Sequence, residues 1–495
     1  MAKQDATARC AHAGSLAKFK WSTQGNPGLH QGHKNLKLAV LAGRDLDWCI
    51  LSLRLRFSLI CLVACGAFAQ QPIADPPPGA FDRKPFEYLN ERLPQWLQFS
   101  GEFRLRWEES GSSGFNNPED SYLLGRTRFD IAIKPLPWLK FFGQSQDARA
   151  YFQNVPHPVP SYQDTWDIRQ AYVQIGDAKT GLVALTAGRQ EINLGDERLV
   201  GSSNWTNTAR SFDAARLTLH HAGYRLDAFA ASVVDQHDQE LNHHTKGNNL
   251  HGLYGGLDSL VPGATIEPYL LWRLAPLSLS GATEHGGRGK LNEKTAGVRW
   301  IGKLPDGFDY NVEMAKQFGS FGLDGIDAWA GHWAVGKKFA SPKWQPRCVL
   351  EYNYASGDAN PADGTRGTFD ELYPTAHGKY GLADQVGWRN IHDAHFGIDL
   401  KPAAKLTITG GFHDYWLASA SDGLYNSGGT LVSRSADGSA GRHVGQELDV
   451  YGVYSVSKAI SFGAGYGHLF TGEFLNRTTR GHDYNYAYTF VVWQL

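Results

Sequence analysis

From Gln98 onward the chain alternates polar and apolar residues with a period of two, over segments longer than soluble sheets use. This pattern restricts the fold more than any other feature. In QFSGEFRLRWE, Gln98, Ser100, Glu102, Arg104, Arg106 and Glu108 are polar, whereas Phe99, Gly101, Phe103, Leu105 and Trp107 are mostly apolar. Successive side chains of a strand point to opposite faces, so one face is apolar and the other charged. Arg126, Arg128 and Asp130 likewise oppose Phe129, Ile131 and Ile133, and Arg216, Thr218 and His220 oppose Ala215, Leu217 and Leu219. Alternation is poor around Asp147 to Arg149 and Asp167 to Gln170, where bulges are expected.

About eighteen such segments follow one another, the first over 98–109 and the last over 482–495. Every second connector is short, as in KPLPW (Lys134 to Trp138), GDAKTG (Gly176 to Gly181), HAGY (His221 to Tyr224), KPAAK (Lys401 to Lys405) and SVSKAI (Ser455 to Ile460). Most of the others are long and polar, such as Asn193 to Arg210 and Gly357 to Gly387. Short turns at one rim and long loops at the other predict an all-β, transmembrane antiparallel β-barrel. An antiparallel sandwich with one solvated face shares the alternation, but its strands are shorter. No apolar run reaches the roughly 18 to 20 residues that a spanning helix needs. With 56 Gly, 15 Trp and 21 Tyr, the composition suits many strands with interfacial aromatic girdles.

The first ninety residues read differently. Arg54 and Arg56 precede the short apolar core Phe57 to Ala64, and Ala67-Phe68-Ala69 precedes Gln70, which is the order of a secretory signal. Leu62-Val63-Ala64-Cys65 also matches a lipobox, an alternative cleavage site. The expected organisation is an N-terminal extension over 1–50 that lies upstream of the true start, a signal peptide over 51–69, a periplasmic lead-in over 70–96 and a barrel over 97–495. Of the five cysteines, only Cys348 lies beyond the cleavage site, so no internal disulfide framework is expected. At the other end, Tyr484, Tyr486, Tyr488 and Phe490 alternate with Asn485, Ala487 and Thr489, an aromatic last strand of the kind that barrel-assembly machinery reads.

Motifs for chemistry are missing. The chain has no GxxxxGK[ST] loop, HExxH, CxxC or GxSxG elbow. The pairs His220-His221 and His243-His244 lack a ligand set at metal spacing, and the glycines from Gly463 to Gly467 sit in a strand, where they suit tight packing. No enzyme activity, cofactor or metal is expected, and the balanced charge of -1 gives no sign of a nucleic-acid partner.

The segment from Gly188 to Leu217, GRQEINLGDERLVGSSNWTNTARSFDAARL, resembles the alginate-export family of outer-membrane porins. So do EYNYASGD from Glu351, the loop GTFDELYPTAHGKYGLADQVGWRN from Gly367, GGFHDYWLASASDGLYNSGG from Gly410 and GQELDVYGVYSVSKAISFGAGYGHLFTGEFL from Gly445. The resemblance runs from about Leu97 to Leu495. It implies an eighteen-stranded monomeric barrel in the outer membrane of a Gram-negative-type bacterium, in contact with outer-membrane lipid. It also implies passage of an anionic polysaccharide or oligosaccharide, an alginate-like polyuronate, through an electropositive lumen. Alginate exporters close the periplasmic mouth with a long turn before the penultimate strand; here that turn is only SVSKAI.

The residues expected to line such a pore are Arg104, Arg106, Arg126, Arg128, Arg149, Arg169, Arg189 and Arg216, since guanidinium groups in a narrow lumen favour carboxylates. Glu102, Asp130, Asp147 and Asp213 interleave with them and would hold them in place. The bland alternative for each is a structural salt-bridge network. At the level of function, the alternatives are a porin for small organic acids or sugars, a barrel enzyme built around His332 or His413, and an adhesive barrel whose long loop, Gly357 to Gly387, binds ligands.

Overall fold

The computed structural model describes residues 83–495 except 112–114, 116–118, 153–160, 259, 280, 342 and 436. The expected N-terminal extension, the signal peptide and residues 70–82 of the lead-in lie outside the described residues.

Eighteen strands close into one antiparallel barrel. The first nine are β1 (Leu97–Ser110), β2 (Asp120–Leu136), β3 (Leu139–Tyr151), β4 (Asp164–Ile175), β5 (Val183–Gln190), β6 (Phe212–His221), β7 (Tyr224–Asp235), β8 (His243–Leu257) and β9 (Ala264–Ala275). The others are β10 (Leu291–Lys303), β11 (Phe308–Phe321), β12 (Asp324–Lys338), β13 (Trp344–Ala355), β15 (Ile391–Ala403), β16 (Leu406–Leu417), β19 (His443–Ser455), β20 (Ile460–Thr471) and β21 (Tyr484–Gln494). Three short strands, β14 (Thr365–Arg366), β17 (Gly423–Tyr425) and β18 (Leu431–Arg434), belong to connectors. Each barrel strand pairs with the next, and β1 pairs with β21 from Glu102↔Gln494 to Ser110↔Tyr486, so the sheet has no free edge. Closure gives every barrel strand a neighbour on both sides, the condition for a sheet to sit in lipid.

The burial of side chains is inverted relative to a soluble protein. Leu253, Trp329 and Phe462 on the outer face are 47%, 41% and 48% exposed, whereas Arg106, Gln317 and Glu447 on the inner face are fully buried. Apolar groups facing outward and polar groups facing inward fit a lipid exterior. Trp138, Tyr224, Trp344 and Trp493 project at the short-turn rim, where an aromatic girdle meets the membrane interface. No helix among the described residues is long and apolar enough to cross a membrane.

The two irregular stretches have different origins. In β4 the register against β3 shifts twice, between Gln144 and Ser145 and between Gln146 and Ala148, so the bulges expected around Asp167 to Gln170 are present. In β3, Asp147 and Arg149 keep an unbroken register with Thr127 and Gly125 of β2. Their charges break the pattern, not their backbone. The glycines of β20 serve the tight packing expected of them by making room for rings. A Cβ on Gly463 would lie 2.2 Å from the Phe490 ring, and one on Gly465 would lie 2.4 Å from that of Tyr488. Gly465→Ala should therefore cost about 1–3 kcal/mol by overpacking. Urea unfolding of the protein in phospholipid vesicles checks this, and an unchanged midpoint would contradict it.

Candidate pore and the loops that narrow it

Two of the long connectors fold into the barrel. The first, residues 191–211 between β5 and β6, lies against the inner faces of β1 to β4. Arg104 donates to the carbonyls of Asn204, Trp205 and Thr206 at 3.1, 3.1 and 3.2 Å. Arg106 donates to Trp205 O at 2.6 Å, and Arg126 to Asn204 O and Thr206 O at 3.0 and 3.2 Å. Arg128 reaches the Asn204 side chain at 2.8 Å, and Arg169 pairs with Glu191. A loop inside a barrel has carbonyls that no ladder partner satisfies, and a guanidinium offers five donors in a fixed fork. Each charge-assisted bond of this kind is worth about 1.5–3 kcal/mol. Glu102 and Glu108 balance the cluster, Glu102 on Arg126 at 2.6 Å and Glu108 on Arg106.

The second inward loop, residues 356–390, crosses to meet the first. Tyr373 N donates to Leu199 O, Gly201 N to Tyr373 O and Thr375 N to Glu197 O, each at 2.9 Å. The first two bonds form a parallel bridge, with Val200 opposite Tyr373, and with the third they join the two loops in a short ribbon across the lumen. Arg210 fastens it by donating to Gly201 O, Tyr373 O and Pro374 O at 2.9, 2.7 and 3.0 Å. Trp205 of one loop stacks on His377 of the other, with ring centroids 3.9 Å apart, and the Arg106 guanidinium lies over the indole at 4.0 Å. The far side is pinned to the wall by Ala383 N on Glu447 (2.8 Å), Leu382 N on Asp449 (3.2 Å) and Arg198, which donates to Tyr380 and Glu351 at 3.1 Å each. Glu197, Ser203, Ala209, Leu372, Asp384 and Asn390 all hold positive φ. Non-glycine residues adopt such angles only where packing over-determines them.

Charges in the second loop are tuned by these contacts. Burial pulls Arg210 down to about 10, which leaves it cationic at neutral pH. Burial opposes the ionisation of Asp370, but Arg273 and Arg389 hold its carboxyl below the usual range. Glu371 is different: burial dominates and pushes it up to about 7, against the pull of Arg389 and the Trp388 N–H.

Toward the short-turn end, a second group of arginines is open to the lumen. Arg216 and Arg225 flank Asp227 at 3.0 and 3.3 Å, and Arg225 and Arg299 flank Glu267 at 3.5 and 2.6 Å. The acids are buried, while the three guanidinium side chains are 25%, 36% and 12% exposed. This ladder along β6 to β10 presents an excess of one positive charge to whatever occupies the lumen.

A family model described as alginate export matches residues 95–490. The chain belongs to the alginate export family. The fold of this family member is similar to that of outer-membrane porins of Pseudomonas aeruginosa. OpdQ matches with a TM-score of 0.56 at 10% identity, over 82% of this chain and 99% of that one. OccK8 (OprE) gives 0.54 at 10%, over 81% and 98%, and OpdK, solved with vanillate, gives 0.53 at 9%, over 80% and 98%. No curated protein matches the sequence. This alginate-export-family chain is an outer-membrane porin with a β-barrel fold.

Of the twelve residues singled out in the sequence, Arg104, Arg106, Arg126, Arg128 and Arg169 gather under the first loop, with Glu102 beside them. Asp130 faces inward and accepts from Ser100 and Gln144 at 2.9 and 2.8 Å. Arg216 joins the lower ladder. The other four stand on the outer face, a correction to the expected lining. Asp147 and Arg149 pair with each other at 2.9 Å, in phase with exposed Phe141 and Tyr151. Arg189 and Asp213 pair at 2.8 Å, in phase with exposed Leu185 and Leu217. All four lie toward the long-loop ends of their strands, beyond the apolar belt. Residues that sequence reasoning missed are Arg198 and Arg210, on the first loop, and Arg225 and Arg299. The last two are on the inner phase of β7 and β10, and extending the alternation to those strands would have found them.

Burial in the packed loop favours the neutral form of the Glu371 carboxyl, raising it to about 7, while its ordinary value in an unfolded chain is about 4.3. A raised folded value means the neutral acid favours packing below the unfolded value, and that contribution is lost as pH rises toward about 7. Single-channel recording should therefore show longer dwell in the low-conductance state at pH 5 than at pH 8, with Glu371→Gln removing the difference. A variant with the wild-type pH response would contradict this.

Proposed function

We propose that this chain is a passive porin for small acidic solutes, sugar acids and short uronate oligosaccharides that pass in extended form beside the inward loops. The observation that carries this reading is the open ladder of Arg216, Arg225 and Arg299, whose guanidinium groups remain partly exposed to the lumen. Arginine fits carboxylates bidentately, and low-dielectric walls strengthen its field in a narrow bore. The buried acids between the arginines keep the ladder from holding a carboxylate too tightly, as conduction requires. The clamp of Arg104, Arg106, Arg126, Arg128 and Arg169 sets the size of the bore by fixing the first loop. No catalysis is proposed. The chain acts as a monomer surrounded by outer-membrane lipid, inserted by assembly machinery that reads its aromatic last strand.

A second reading, passage of a full-length anionic polysaccharide, is favoured by the family match. It requires the ribbon between Leu199 and Tyr373 to part, because the loops span the lumen.

Reversal potentials in a KCl gradient, with glucuronate and glucose added in turn, test the proposal. Anion-selective current blocked by glucuronate and not by glucose is expected. Arg216→Gln with Arg225→Gln should weaken the block about five-fold, equivalent to about 1 kcal/mol. Cation selectivity, or equal block by the neutral sugar, would contradict it.

A further inference from the structure

Beyond the ladder, the wall of the lumen changes sign. Strands β11, β12, β13, β15, β16 and β19 and the tip of the first loop enclose a cavity of about 260 Å³. Four carboxylates line it, Asp196, Asp309, Glu351 and Asp399, against two guanidinium groups, Arg198 and Arg347. Both arginines are already committed. Arg347 holds Asp309 bidentately at 2.6 and 3.0 Å and donates to Asp399 at 3.1 Å. Arg198 sits 3.1 Å from Glu351 and 3.2 Å from Asp196. Lys379 adds a cation on the far oxygen of Asp196 at 3.6 Å, outside the cavity lining. An incoming carboxylate therefore meets occupied donors and surplus negative charge. A cation meets Asp309 and Asp399, which are 33% and 47% exposed.

The remaining lining suits an organic cation rather than a bare ion. Val349 gives apolar surface, and the partly exposed Tyr451 ring offers a face on which a cation or a sugar ring can rest. His332 is bound to Asn353 at 2.8 Å, and His395 lies 3.5 Å from Glu351, so both are positioned by the same carboxylate network. The cavity is just below the roughly 300 Å³ at which small-molecule sites begin, which suits one ring or one chain end.

We infer that this recess is a cation-accepting subsite of the pore, fitted to a primary ammonium group on a small hydroxylated or ring-bearing solute. It rests on the porin reading and extends it: an amino sugar finds its ammonium served by β11 to β16, and a zwitterion finds in addition its carboxylate served by the ladder on β6 to β10.

The test uses the full folded chain in a planar bilayer, with glucosamine, at a pH where its amine is charged, and N-acetylglucosamine, which keeps the ring but not the charge. Glucosaminium should produce resolved block events, and N-acetylglucosamine should not. Asp309→Asn with Asp399→Asn should weaken the block about ten-fold, while Arg347→Gln should strengthen it, an opposite sign that a merely structural role would not give. Heat-resistant migration on gels verifies folding, and Glu351→Gln substitutes if the double variant fails it. Equal block by both sugars, or block unchanged in the carboxylate variants, overturns the inference. A pore that conducts KCl and is blocked by glucuronate but not by glucosaminium overturns the recess and leaves the porin reading intact. A chain that conducts nothing overturns the porin reading, and calorimetric titration of glucosaminium then decides the recess alone, with no heat of binding counting against it.

Discussion

A backbone polar group removed from water needs a partner, and this one requirement organises the molecule twice. In the wall, strands satisfy one another, and pairing of β1 with β21 leaves no edge exposed to lipid. In the lumen, two loops enter without ladder partners, and side chains take over the role. Arginines on β1 and β2 supply donors to the carbonyls of 204–206, while Glu447 and Asp449 accept from the N–H groups of Ala383 and Leu382. The wall therefore presents donors on one arc and acceptors on another, and the loops are stretched between them.

This use of charge separates two populations of arginine that look alike in sequence. Those under the first loop are buried and hold backbone; those of the lower ladder are paired with buried acids and still face the bore. In the proposed function, the first group sets how wide the passage is, and the second sets what it attracts. Leaving a guanidinium without its partner would expose a buried charge at a cost of about 3–5 kcal/mol, so the clamp resists loosening one contact at a time. The ribbon between the loops adds little by itself. Its stability comes from Arg210 and from the Trp205–His377 stack, both of which join residues more than 160 positions apart.

Much of the fold was legible because period-two alternation and turn length are local properties. The first segment, expected over 98–109, lies within β1, and the last, expected over 482–495, contains β21. The beginning of β8 carries no such signal, because HHTKG is polar on both faces and Gly247, at φ 87°, interrupts the alternation. The pore residues were legible only in part. Phase could be counted from Phe141 to show Asp147 and Arg149 facing outward, but charge was the stronger lure. No local signal announces that 191–211 folds inward, since Arg198 meets partners 153 and 182 residues along the chain. That placement is a property of the closed barrel, and so is the division of labour among its arginines.

The central claim is that the arginine clamp, by fixing the first loop, sets the bore. Liposome swelling with a graded series of uronate oligosaccharides measures the bore directly. The wild-type chain should admit the shortest members and exclude the longer ones, and Arg104→Gln with Arg126→Gln should move the cut-off to longer chains. An identical cut-off in the folded double variant, or free entry of long oligomers into wild type, would contradict the account.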